Sequence, residues 1–178
     1  MRVLILAAAA WLPMGATFAQ RPIAIGIAGG LSAPQGRLGD NSEIGWHALA
    51  TLGLSSPMVP HGIRVDLAYN RFAFSQTGGD VSRLGYQGIG SLTGNLLYRL
   101  PLTNSPVSPY LIGGMGAYRS RCSDTGVCVG DTEFGWNAGL GTKLYLLRLR
   151  SFLEVRYHRT ERLGTTLRFI PVTLGITL

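Results

Sequence analysis

From residue 22 onward the chain repeats one pattern. Runs of about ten residues alternate apolar and polar side chains, and clusters of Gly, Pro, Ser, Asn and Asp separate them. Such alternation predicts β-strands whose two faces meet different surroundings. Eight runs stand out, at 22–31, 43–54, 62–74, 86–98, 109–119, 133–146, 151–159 and 166–178. In the third, Ile63, Val65, Leu67 and Tyr69 oppose Arg64, Asp66, Ala68 and Asn70. In the seventh, Leu153, Val155 and Tyr157 oppose Glu154, Arg156 and His158. The fifth run is glycine-rich and weakly phased. The 25 glycines, spread through the apolar stretches, argue against helices.

The direction of the alternation narrows the architecture. One face carries clean aliphatics with aromatics near the strand ends; the other is small, polar or charged. A barrel in lipid puts the first face outside and the second in its lumen. A soluble lipocalin-like barrel would reverse the two, and periodicity alone leaves that alternative open. The connections alternate too. Those at 33–42, 75–85, 120–132 and 160–165 are polar and Gly-rich, whereas 55–61, 100–108 and 146–150 are shorter or carry Pro or a run of Leu and Arg. Eight strands with long connections at one end, and short ones with both termini at the other, form an up-and-down antiparallel transmembrane barrel.

Residues 1–19 stand apart. Arg2 precedes an apolar stretch at 3–12, Pro13 breaks it, and small residues lead to Ala19. That is the anatomy of a cleavable signal peptide, with 20–178 as one barrel domain. The apolar stretch is too short to span a bilayer as a helix, which needs roughly 20 residues.

Without that leader, 15 basic residues face 9 acidic ones, and Lys143 is the one lysine. The excess charge does not indicate nucleic acid, because the arginines are spread out and no binding motif appears. Anionic lipid head groups suit Arg better, since its fork binds phosphate through two bonds. Cys122 and Cys128 lie close together in a Gly-containing loop of an exported chain, and so predict a disulfide. So short a loop adds only on the order of 2–3 kcal/mol.

The last two runs carry a family resemblance. A strand of the form FLEVRYH, a short loop and the closing strand FIPVTLGITL resemble the small outer-membrane β-barrel domain family, which includes the OmpA barrel and OmpX-like proteins. The resemblance spans the mature chain in strand pattern and the final two strands in motif. It implies an eight-stranded barrel in the outer membrane of a Gram-negative bacterium, inserted by the barrel assembly machinery. It also implies an assembly signal at Thr173, Gly175, Ile176 and Leu178, with Leu178 where the family usually ends in an aromatic residue.

Two groups of charges invite a role. In a closed eight-stranded barrel the third and seventh strands stand opposite each other, and the bore is narrow enough for side chains to meet. We therefore expect a lumenal network in which Glu154 pairs with Arg64 or Arg156, and Asp66 with Arg156 or Lys143. Such pairing offsets desolvation and would plug the lumen. The second group is Arg71, Arg119, Arg121, Arg159, Arg162 and Arg168, at the strand ends where lipopolysaccharide phosphates would lie. His158, two residues before Thr160 and near Glu154 and Glu161, loosely resembles a lipid A deacylase set, but Thr stands where Ser is needed, Glu161 stands where Asn commonly follows, and His158 falls on the lumenal face. No cofactor, metal cluster or nucleophile motif is expected. The sequence points to a non-enzymatic structural or surface-interaction protein that meets an unidentified extracellular partner through its loops. A narrow solute pore and a lipid A-modifying enzyme are the alternatives.

Overall fold

The structure, a computed structural model, describes residues 23–55, 59–74, 85–101, 107–123, 132–146, 149–162 and 165–178. The signal peptide expected at 1–19 lies outside them. Eight strands follow one another: β1 (Ile23–Gln35), β2 (Gly45–Ser55), β3 (His61–Ala73), β4 (Tyr86–Arg99), β5 (Ser108–Ser123), β6 (Thr132–Leu146), β7 (Leu149–Arg162) and β8 (Thr165–Thr177). Each pairs antiparallel with the next, and β1 pairs with β8 to close the barrel. Closure leaves no free sheet edge, as the hydrocarbon core of a bilayer requires.

The strands are 11–16 residues long, longer than the 9–11 or so that a tilted strand needs to cross a bilayer. Several run further outward than the alternation indicated: β5 continues to Ser123 and β7 to Arg162. Among the described residues no helix is long and apolar enough to cross a membrane; strands do the crossing. One element was not expected. Helix α1 (Arg37–Asn41) follows β1, and Gly36 precedes it at φ 57°, a left-handed conformation that glycine adopts without strain.

The burial pattern fixes which face is which. On β3 the apolar set is exposed (Ile63 55%, Leu67 61%) while Arg64 and Asp66 are buried. Similarly, Leu92 and Leu96 on β4 and Leu140 on β6 point outward, and Thr93, Asn95 and Asn137 point inward. An aqueous barrel would not present a continuous band of Leu, Ile and Val outward and bury its charges. The soluble alternative is thereby excluded.

The lumenal face differs in one respect from the small, polar and charged set the alternation suggests. Phe72, Tyr110, Tyr118, Phe152 and Phe169 also point inward and are among the most buried side chains. Glycines on neighbouring strands make room for them. A Cβ at Gly141 would come within 2.6 Å of Tyr110, and one at Gly135 within 2.7 Å of Tyr118. Bulky residues fit a narrow bore when the facing position is empty.

Candidate functional site

The lumen is filled in layers. Its centre is a closed ring of four charges. Arg64 and Asp66 come from β3, Glu154 and Arg156 from β7, on opposite walls. Alternation puts each pair two residues apart on one face, so each strand contributes one cation and one anion. The Arg64 guanidinium holds Glu154 through both nitrogens, Nη1 to Oε1 at 2.5 Å and Nη2 to Oε2 at 2.8 Å. Its Nε lies 2.8 Å from Asp66 Oδ1. Arg156 completes the ring, with Nη1 to Asp66 Oδ2 at 2.8 Å and Nε to Glu154 Oε2 at 3.0 Å.

Neutral groups complete the carboxylates' shells. Tyr110 donates its hydroxyl to Glu154 Oε1 at 2.5 Å, and Asn95 donates to Asp66 Oδ2 at 3.0 Å. Asn137 in turn donates to Asn95 Oδ1 at 2.9 Å. Glu154 is fully buried (0% exposed). Two cations and two anions at these distances leave no net charge, the condition under which burial is tolerable. The arginine and carboxylate pairings match those expected from the strand phase. Lys143 does not join: it stands exposed near the end of β6 and makes no ion pair among the described residues. Its position on β6 puts it beyond Gly141, the residue paired with Glu154. Phase alone could not show how far along the bore it lies.

Towards the end bearing the long connections, an apolar cap overlies the ring. Phe72, Ile89, Tyr118, Leu167 and Phe169 meet there, and Leu38 of α1 seals them from above. Phe72 and Phe169 pack edge to face with centroids 5.9 Å apart. His158 lies between cap and ring, stacked on Phe169 at 4.9 Å, with Nδ1 3.0 Å from the Tyr118 hydroxyl. His47 meets Thr173 Oγ1 at 2.9 Å. Thr160 donates to Glu133 Oε2 at 3.0 Å rather than to His158.

The candidate rim arginines lie on the outer face. Arg71 of β3 and Arg121 of β5 flank Gly88 of β4 in register, and Arg119 flanks Gly90. Tyr69 fills the space over Gly88, where a Cβ would come within 2.5 Å of its hydroxyl, and the Arg71 guanidinium lies 3.8 Å over the Tyr86 ring. Arg159 and Arg168 pair directly across β7 and β8, and Arg159 bonds Glu161 at 2.8 Å. The Arg162 side chain lies outside the described residues. Aromatics sit just below, in the pairs Trp46–Tyr69 and Trp136–Tyr157 at 5.8 and 5.6 Å. This is the aromatic girdle of a membrane interface. Cys122 lies near the end of β5, while Cys128 is outside the described residues, as is most of the loop between them. Thr173 and Gly175 face the lumen on β8, and a Cβ at Gly175 would come within 2.6 Å of the Ala28 Cβ. Ile176 faces outward, and Leu178 lies just past the strand, its amide donating to Ile25.

An apolar exterior, an aromatic girdle and an ion-paired lumen together define a transmembrane β-barrel of the bacterial outer-membrane type. The chain belongs to the outer membrane protein β-barrel domain family, which matches residues 4–169, and it is a protein of the outer membrane. Solved structures share its fold. Neisserial surface protein A superposes with a TM-score of 0.66 at 17% identity, covering 89% of this chain and 97% of that one. The Yersinia pestis outer membrane protein Ail in a phospholipid bilayer nanodisc gives 0.54 at 13% identity, covering 87% and 99%. A major outer membrane protein of Thermus thermophilus gives 0.54 at 11%, covering 88% and 99%. No curated protein matches the sequence.

Proposed function

We propose that the protein is a sealed, non-enzymatic barrel with a structural or surface-interaction role. The observation that carries this reading is the filled bore: the Arg64–Asp66–Arg156–Glu154 ring closes its middle and the Phe72–Phe169 cap its outer end. A conducting pore needs a continuous wet path, which two such layers would interrupt. Side chains on the lumenal face cannot reach a lipid substrate. His158 and Thr160 both point inward and are held by Tyr118 and Glu133, which favours the non-enzymatic reading over lipid A modification.

What remains for interaction is the outside. The outer-face arginines are placed to bind lipopolysaccharide phosphates, and the long connections to meet a partner beyond the membrane. The β8 residues Thr173, Gly175, Ile176 and Leu178 would serve as the signal read by the barrel assembly machinery, and a Cys122–Cys128 disulfide would stiffen the loop after β5. Planar-bilayer recording of the purified, refolded protein tests the central point. A sealed barrel gives no unitary conductance steps. Steady single-channel openings in the unmodified protein would overturn the reading in favour of a narrow pore.

A further inference from the structure

Between the charge ring and the apolar cap the lumen keeps a small chamber. Its walls include His47 of β2, Asn70 of β3, Thr93 of β4, His158 of β7, and Pro171 and Thr173 of β8. It has room for about 10 Å³, the scale of one water and far below that of an organic ligand. The space exists because Ala68, on the lumenal face of β3, carries only a methyl group; it borders the chamber and is half-buried.

Two features of the chamber wall call for a hydrogen-bond donor. Asn70 is 2% exposed, and its Oδ1 has no partner among the described residues. Buried amide oxygens are normally bonded, to protein or to an ordered water. Pro171 is the second. The β7–β8 register runs to Val155↔Val172 and resumes at His158↔Phe169, lapsing at Arg156 and Tyr157. Pro171 stands in that gap with no N–H to give, and at this depth no lipid supplies the missing donor. The charges beside the chamber are already matched. Asp66 is held by Arg64, Arg156 and Asn95, and Arg156 by Asp66 and Glu154. That leaves no charged group to fix an ion, whereas amide, hydroxyl and imidazole groups both donate and accept, as water does.

We infer that the chamber is a hydration site for one water, which donates to Asn70 Oδ1 and is trapped between ring and cap. The site itself stands on the chamber and on Asn70; the trapping rests on the sealed-bore reading. The bound water is part of the lumenal packing, filling the step between the charged layer and the apolar one with a group that suits both.

The test uses the full barrel folded in detergent micelles. A crystal structure should show one solvent peak about 3 Å from Asn70 Oδ1. Oxygen-17 relaxation dispersion of the solvent should count that water as a long-lived molecule, held for longer than the particle takes to tumble. Ala68→Val puts two methyl groups into the chamber. It should remove the peak and lower the dispersion amplitude by one water. Ala48→Val, on the lipid face of β2, should change neither. Heat-modifiable migration on gels shows that each variant is folded, and Asn70→Leu, which removes the acceptor, reads the same site if Ala68→Val is not. A wild-type chamber with no peak beside Asn70 overturns the site. A dispersion amplitude that both chamber variants leave unchanged overturns the assignment of the long-lived water to this chamber. A peak with no long-lived water in the dispersion overturns the trapping, and the sealed bore with it, while the site stands.

Discussion

Replacing Glu154 with Gln keeps the shape of the side chain and removes one charge from the ring. Arg64 and Arg156 then share only Asp66, leaving one buried cation uncompensated at a site where Glu154 was 0% exposed. The amide can still accept from Tyr110, but its nitrogen turns a donor toward a guanidinium and loses one of the two Arg64 bonds. Breaking a buried pair from one side costs about 3–5 kcal/mol, because the orphaned charge stays buried. Urea titration of the barrel in lipid vesicles, read by tryptophan fluorescence, should detect it. With an unfolding slope of about 2 kcal/mol per molar, a loss of about 4 kcal/mol moves the midpoint down by about 2 M. The double variant Glu154→Gln, Arg64→Gln restores charge balance and should recover more than half of the loss, a coupling that a double-mutant cycle isolates. If Glu154→Gln lies within about 0.5 kcal/mol of wild type, or the double variant is merely the sum of the singles, the ring is not an energetic unit and the reasoning is wrong.

Two further outcomes follow from the outer face. Leu140→Arg places a charge at the middle of β6 on the lipid side, where Leu140 is 62% exposed; it should destabilise the folded barrel by about 2–4 kcal/mol in the same vesicle titration. A soluble surface would tolerate it. Replacing Arg71, Arg119 and Arg121 together by Gln removes the patch around Gly88 and Gly90. At about 1 kcal/mol per charge near an anionic surface, affinity for purified lipopolysaccharide should fall about a hundredfold by surface plasmon resonance, with heat-modifiable migration retained. Unchanged affinity would show these arginines to be ordinary surface charge.

The strand phase was legible because alternation is local. Ile63, Val65 and Leu67 against Arg64 and Asp66 need no knowledge of the rest of the chain, and the same holds for Glu154 and Arg156. With an even count of eight, phase and closure together placed β3 across from β7 and brought the four charges within reach. Position along the bore was not legible, since it depends on register between strands. Hence Lys143 shares a face with the ring but sits at the mouth. The inward aromatics were hidden for a related reason. Phe72 and Phe152 lie on the polar phase of their own strands, in step with Asn70 and Glu154, which was a visible signal. What permits them is on other strands: Gly141 opposite Tyr110 and Gly175 opposite Phe152 are partners that only the pairing reveals. Helix α1 is five residues long, too short for periodicity to show. Its Leu38 gains its place from the cap below it rather than from local propensity.

The charge ring also has a mechanical meaning. A hoop of strands joined only to their neighbours resists stretching around its circumference, yet flattens readily into an ellipse under lateral pressure from the surrounding lipid. The bonds from Arg64 to Glu154 and from Asp66 to Arg156 run from one wall to the opposite wall. They act as a strut across the diameter, stiffening the one deformation that the sheet's own hydrogen bonds leave soft. With β1 paired to β8 and this strut across the bore, the closed barrel is held both at its seam and across its width between β3 and β7.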